Sequence, residues 1–128
     1  MEKLSATTNA LNWFEIPATD AARAKKFYET IFDIEMQEME MMGMTMIMFP
    51  PEPPRSSGAL VVGPDHKPST EGSIIYLNAN PDLQLVLDRI EAEGGQITLP
   101  KTNIGDENGY MAFFIDTEGN LVGLHSGQ

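Results

Sequence analysis

The chain has 128 residues, of which 41% are apolar and 21% charged, the balance of one globular domain rather than of a disordered segment. Its formal net charge of −11 disfavours binding to nucleic acid or to an anionic membrane surface, because their phosphates would be repelled. It contains no cysteine, which excludes disulfides and thiolate chemistry, and no apolar run typical of a signal peptide or membrane span, so we expect a soluble, cytoplasmic protein.

The first third of the chain predicts a strand followed by a helix. Residues 12–17 form a short strand of mixed polarity, and Thr19 or Asp20 supplies a capping oxygen for a helix over 21–32. Apolar residues recur in this helix at three- and four-residue spacing, which predicts one buried stripe. The stripe consists of Ala24, Phe27, Tyr28 and Ile31.

A methionine-rich segment follows this helix. Around Gly43 the spacing of the methionines changes from helical to alternating. Met44, Met46 and Met48 therefore share one face of a predicted strand. Another apolar strand is predicted over 58–62, and a linker rich in proline and glycine covers about 63–72.

The same order of elements then recurs. A strand over 73–79 precedes a helix for which Asn80 is the predicted N-cap and Pro81 the first residue, and Gly94 and Gly95 end that helix. Further strands are predicted over 96–99, 110–115 and 121–125, the last two joined by the turn 116–120.

We interpret this recurrence as a duplicated βαβββ unit in an α+β domain over 1–128. Module one covers about 8–64 and module two about 73–126. Two curved mixed sheets of this kind can enclose a trough, and such concavities bind ligands.

Three stretches resemble the vicinal oxygen chelate superfamily of glyoxalase, bleomycin resistance and dioxygenase-like proteins. They are WFEIPATDAARAKKFYETIF (13–32), IYLNANPDLQLVLDRIEAEGG (75–95) and DTEGNLVGLHS (116–126). The resemblance implies the two-module fold with its trough, and it is greatest to a small bacterial subgroup.

The metal enzymes of this superfamily take His, Gln or Glu ligands from four strand positions. The resemblance places Trp13 and about Ile74 at two of these positions, Gly123 at a third, and the apolar strand 58–62 at the fourth. These side chains carry no metal donors, so we expect no metal site and no cofactor.

Two residues are candidates for acid–base roles in the trough. Glu15 lies two residues beyond Trp13 and thus on the same strand face; it either binds a ligand amine or acts as a base, or it is exposed or paired with a lysine. His125 either faces the trough as an acid–base group or packs and bonds to backbone near the end of its strand.

The remaining candidates would bind a ligand without taking part in chemistry. Met44 and Met46 either line an apolar cavity wall or fill the core. Asn78 either contacts a ligand or bonds to the neighbouring loop, and Lys101 either meets an anionic ligand or is solvated. His66, in the linker, is predicted to be a solvated loop residue. The proposed ligand-binding set is Trp13, Met44, Met46, Tyr76, Asn78 and Lys101.

Two functions follow from these expectations. The first is binding of a small, apolar or aromatic ligand in the trough without a conventional metal site. The alternative is a metal-dependent lyase or isomerase related to lactoylglutathione lyase, which would need a divalent metal. In either case we expect a homodimer, because open strand edges favour pairing with another chain.

Overall fold

The strands and helices follow the predicted duplicated order. The structure, a computed structural model, describes residues 3–52 and 55–128. The elements are β1 (Trp13–Pro17), α1 (Ala21–Phe32), β2 (Gln37–Met41), β3 (Met44–Met48), β4 (Ser57–Val62), β5 (Tyr76–Asn78), α2 (Gln84–Ile90), β6 (Gln96–Asn103), β7 (Tyr110–Ile115) and β8 (Leu121–Ser126). A 3₁₀ turn over Glu91–Glu93 continues α2.

The strands form two open four-stranded sheets with the same topology. The first sheet has the order β1-β4-β3-β2 and the second β5-β8-β7-β6. In each sheet the first strand of the module runs parallel to its neighbour, and the other pairs are antiparallel. The predicted α+β fold of two βαβββ modules is therefore confirmed.

Helix α1 buries the predicted stripe. All four stripe residues are at most 1% exposed. The helix starts because Asp20 Oδ1 accepts a hydrogen bond from the backbone N–H of Arg23 at 3.0 Å, so Asp20 is the cap. It ends at Asp33, which takes the left-handed conformation with φ 53°.

The methionine segment before Gly43 is a strand, not a helical stretch. Strand β2 pairs with β3 in register, from Gln37 opposite Met48 to Met41 opposite Met44. The two strands are joined by Met42 and Gly43, which both have positive φ, as a tight hairpin turn requires. Cross-strand pairing thus decides the structure of this segment against its residue spacing.

Helix α2 begins later than its sequence predicts. Asn80 and Pro81 are not part of the helix, which starts at Gln84. The backbone N–H of Leu83 donates to Ser126 Oγ in β8 at 2.9 Å and that of Gln84 to Asp82 Oδ1 at 2.9 Å, so Ser126 and Asp82 take the place of the predicted cap Asn80. Strand β5 covers Tyr76–Asn78 and is shorter than the predicted strand 73–79. Strand β6 covers Gln96–Asn103 and is longer than the predicted strand 96–99.

One apolar core holds the helices and the facing sides of both sheets. The ring of Tyr28 on α1 lies 5.7 Å from that of Phe49 beyond β3 and 6.4 Å from that of Phe114 on β7. Met46, Ala59 and Val61 form a separate cluster on the opposite face of the first sheet, and in residues 3–52 and 55–128 no helix packs on that cluster. No helix in the described residues is long and apolar enough to cross a membrane.

The turn 116–120 of module two binds the start of α1 in module one. Glu118 accepts hydrogen bonds from the backbone N–H groups of Thr19 and Asp20, each at 2.8 Å, and from the Arg23 guanidinium at 2.7 Å. Burial would raise the pKa of Glu118, but the hydrogen bonds from Arg23, Asp20, Thr19 and Thr117 outweigh it and lower the pKa to about 2.

Candidate functional site

Methionine side chains cover the helix-free face of the first sheet. Met46 is buried, and Met44 and Met48 pack beside it against Ala59 and Val61 of β4. Strand β2 adds two methionines that are about 40% exposed and lie directly opposite residues of β3. We call this surface the methionine wall; it consists of Met39, Met41, Met44, Met46 and Met48.

Strand β1 places a polar pair at the edge of this wall. Glu15 lies opposite Ala59, whose side chain belongs to the wall's cluster, so Glu15 is on the same face. Trp13 Nε1 donates to Glu15 Oε2 at 3.4 Å. The structure thus brings the two predicted β1 residues together.

His66 completes this group, although the sequence predicted a solvated loop residue. Its Nε2 lies 2.7 Å from Glu15 Oε1, and its side chain is only 18% exposed. Because a carboxylate only accepts hydrogen bonds, Nε2 carries the proton and donates it to Glu15. His66 Nδ1 is buried and has no hydrogen-bond partner among the described residues.

A cavity of about 190 Å³ opens beside this group. Glu15 and Pro17 line it from β1, and Lys67 and Ser69 from the linker. The other side is formed by residues of module two, among them Ile75 just before β5 and Leu121 at the start of β8. The cavity therefore lies between the modules, with the Glu15 carboxylate on its wall.

A second, more apolar pocket of about 230 Å³ lies at the other end of β1. Phe14, Phe32 and Phe49 line it together with Leu77 and Asn78 of β5. The rings of Phe14 and Phe49 contact each other in a tilted arrangement, with 5.5 Å between their centroids. Asn78 is thus the predicted site residue that borders an aromatic pocket, and its Oδ1 accepts a hydrogen bond from the Asn80 backbone.

The predicted residues of the second sheet form a separate group. Tyr76 lies over Gly123, and its ring contacts that of Phe113 in a tilted arrangement with 5.8 Å between centroids. His125 pairs in register with Asn78, and its Nε2–H donates to the Asn108 carbonyl at 2.7 Å. The imidazole of His125 is therefore held by the loop before β7.

Lys101 makes contacts within module two. Its ammonium donates to Asp82 Oδ1 at 2.9 Å and lies 4.5 Å from the centroid of the Tyr110 ring. This hydrogen bond, together with one from the Gln84 backbone, lowers the pKa of Asp82. An anionic ligand would have to compete with Asp82 for Lys101.

The positions that the resemblance assigns to divalent metal ligands do not fit a metal ion in this chain. A Cβ at Gly123 would lie 2.6 Å from the Tyr76 ring, so this ring takes the space of a side-chain ligand. The one polar side-chain atom of Trp13, Nε1, donates a hydrogen bond to Glu15. The side chain of Ile74 has no polar atom. In residues 3–52 and 55–128, no three His, Asp or Glu side chains converge as a metal site requires.

Comparison with known proteins places this geometry in a family. A model of the Glyoxalase/Bleomycin resistance protein/Dioxygenase superfamily matches residues 10–124. The "Putative glyoxylase CFP32" of Mycobacterium bovis is 30% identical over 125 residues, which cover 88% of this chain and 44% of the relative. The chain thus spans less than half the length of this curated relative.

Two solved structures illustrate the shared fold. TnmS3, an antibiotic binding protein from Streptomyces sp. CB03234, superimposes with a TM-score of 0.69 at 21% identity, covering 97% of this chain and all of that one. A mutant of glyoxalase I from Zea mays gives a TM-score of 0.69 at 19% identity, covering 91% of this chain and 44% of that one. The chain belongs to the glyoxalase/bleomycin resistance protein/dioxygenase superfamily.

Proposed function

We propose that this protein binds a small apolar or aromatic molecule against the methionine wall, without the family's conventional metal site. The main observation in support is the methionine wall, which is an apolar sheet face. One polar group, formed by Trp13, Glu15 and His66, lies at its edge. Binding sites for small molecules combine an apolar lining with a few placed polar groups in this way.

The methionine side chains of the wall can adapt to the shape of a ligand. Thioethers are polarizable and unbranched, so they fit irregular apolar surfaces and contact aromatic rings favourably. Met39 and Met41 are 41% and 43% exposed, which leaves them accessible to a ligand. A family neighbour, TnmS3, is described as an antibiotic binding protein, which agrees with a binding role.

The alternative is a metal-dependent lyase related to lactoylglutathione lyase. Such a reaction needs a divalent ion that holds two adjacent oxygens and a carboxylate that moves a proton. Glu15 supplies a carboxylate, but Trp13, Ile74 and Gly123 supply no metal donors. We therefore expect no turnover of the hemithioacetal of methylglyoxal and glutathione with Ni²⁺ or Zn²⁺, and measurable turnover would favour the lyase.

A homodimer forms part of the proposal. Strands β2 and β6 are edge strands of the two open sheets, and open edge strands favour pairing with another chain. Sedimentation equilibrium at micromolar concentration would show a dimer, and a monomer alone would contradict this part.

Trp13 is the chain's only tryptophan, which makes its fluorescence a direct probe of the site. Titration with the neutral aromatic dye N-phenyl-1-naphthylamine and, separately, with bleomycin should change Trp13 emission in a saturable way. Met46→Gln, which makes the wall polar, should weaken binding at least tenfold, whereas Met36→Leu, in the opposite core, should not. Unchanged binding by Met46→Gln would refute the proposed wall.

Lys101 offers a test of another ligand-binding prediction. If Lys101 contacts the ligand, Lys101→Ala should weaken the same dye titration. Because the ammonium is held by Asp82 and Tyr110, we expect the affinity to stay within about twofold of the native protein.

A further inference from the structure

We propose that His66 Nδ1 and Met44 Sδ form a site for a soft monovalent metal ion, of the Cu(I) class, at the edge of the methionine wall. This site is separate from the family's divalent position, which falls at Trp13. It shares Met44 and His66 with the proposed ligand site, but it rests on a different observation, the orientation of one imidazole and one thioether.

The first argument is the state of the His66 ring. Its Nε2–H donates to Glu15, whose other oxygen accepts the Trp13 indole N–H, so the carboxylate is fixed at both oxygens. In the neutral imidazole Nδ1 then bears a free lone pair. A histidine that donates one ring N–H to a carboxylate is the usual arrangement of a metal ligand, because the carboxylate sets the tautomer and raises basicity.

The second argument is that His66 Nδ1 is buried and yet accepts no hydrogen bond in the described residues. A buried polar atom without a partner costs free energy, so such atoms call for a specific explanation. A bound ion at Nδ1 supplies one.

The third argument is the neighbouring thioether. A Cβ built on Gly63 would lie 3.2 Å from Met44 Sδ and 3.5 Å from His66 Nδ1. Both donors are therefore close to one point beside the Gly63 backbone. These distances allow the nitrogen and the sulfur to lie about 4 Å apart, the separation that one bridging ion requires.

The donor set selects the class of ion. Thioether ligands favour soft ions such as Cu(I), whereas Mg²⁺ and Ca²⁺ favour oxygen ligands. Met41 lies directly opposite Met44 across the β2–β3 hairpin and is 43% exposed, so it is available as a third donor. The net charge of −11 raises the local concentration of cations.

Silver(I) tests this site, since it shares the ligand preference of Cu(I) but is not redox-active. Protein labelled with ¹³C at the methionine methyl groups is titrated with Ag(I) in chloride-free buffer, with NMR and calorimetry as readouts. We expect one tight equivalent that shifts the Met44 methyl and the His66 ring signals. Met44→Leu and His66→Gln should each weaken this equivalent at least tenfold.

Each variant has a matched control. Met48→Leu removes a thioether farther along the same strand face, and His125→Gln removes the other histidine. Both should bind Ag(I) like the native protein. Gly63→Ala should also weaken binding, because its Cβ would lie 2.8 Å from Met44 Cγ and displace that side chain.

Three outcomes would overturn the site. They are the absence of a tight equivalent, native affinity in Met44→Leu, and equal losses in Met44→Leu and Met48→Leu, which would indicate unspecific binding to methionines. The free energy of unfolding of each variant shows whether that variant is folded. If His66→Gln does not fold, the Ag(I) affinity of Met44→Leu tests the site.

Discussion

The hydroxyl of Tyr28 donates to Asp116 Oδ2 at 2.7 Å, and this buried hydrogen bond joins the first helix to the closing turn of module two. Asp116 also accepts from Asn120 Nδ2 at 3.0 Å, and Asn120 donates in turn to the Pro17 carbonyl at 2.7 Å. Burial and the nearby Asp116 raise the pKa of Tyr28 well above its usual value, so the phenol remains a donor at neutral pH.

Tyr28→Phe should therefore lower the free energy of unfolding by about 1–3 kcal/mol, because it leaves a buried carboxylate short of a donor. Urea unfolding measures the change. Tyr76→Phe serves as the control, since that residue is 46% exposed and should change stability little. Equal effects of the two variants would argue against the role of the Asp116 hydrogen bond.

Glu118 should give the protein a distinct loss of stability in acid. Its pKa in the folded protein, about 2, lies below the ordinary value of 4.5, so the ionised carboxylate stabilises the fold at neutral pH. This contribution is lost as the pH falls from about 5 to about 2. The difference in free energy of unfolding between the native protein and Glu118→Gln should shrink across that window.

The control for this pH series is Glu91→Gln, which changes an exposed carboxylate. The difference in free energy of unfolding between Glu91→Gln and the native protein should stay small across the same pH range. A Glu118→Gln difference that is constant with pH would show that its hydrogen bonds, rather than its charge, carry the effect.

Glu15→Gln separates function from stability. The amide keeps the shape of the side chain and removes its charge, so ligand binding should change while the fold loses little. Phe27→Ala is the contrast, because it should cost about 3–5 kcal/mol by leaving a cavity between α1 and β7. If Glu15→Gln destabilises as much and leaves dye binding unchanged, Glu15 is a structural partner of His66.

Trp13→His should not create a divalent metal site. It adds one donor at the family position, but Ile74 and Gly123 still contribute none, and the Tyr76 ring occupies the space next to Gly123. Zn²⁺ affinity measured by competition with a chelator should therefore remain weak. A tight equivalent of Zn²⁺ would mean that other side chains rearrange around the new histidine.

The order of elements could be predicted because it depends on local signals. The stripe of α1 repeats with the helical period, and its four residues are buried as that period predicts. The start of α2 could not be predicted in this way. The N–H of Leu83, directly before the helix, donates to Ser126 Oγ, 43 residues away, and no local pattern predicts such a partner.

The candidate site shows the same limit. Alternation along β1 and β3 predicted that Trp13 and Glu15, and likewise Met44 and Met46, would share a face. His66 lies in a loop without periodicity, and its partner Glu15 is 51 residues distant. The sequence signal was only a histidine close to a glycine in a linker, which does not indicate a hydrogen bond to a carboxylate on β1.

The contact of Glu118 with the start of α1 has a consequence for the order of folding. The carboxylate that satisfies the Thr19 N–H follows it by 99 residues, so the ribosome makes the helix long before its partner. Contacts of such sequence separation slow folding, because a long loop must close before they form. A nascent chain that carries only module one therefore displays an incompletely capped helix and an uncovered apolar stripe, the kind of surface that chaperones bind.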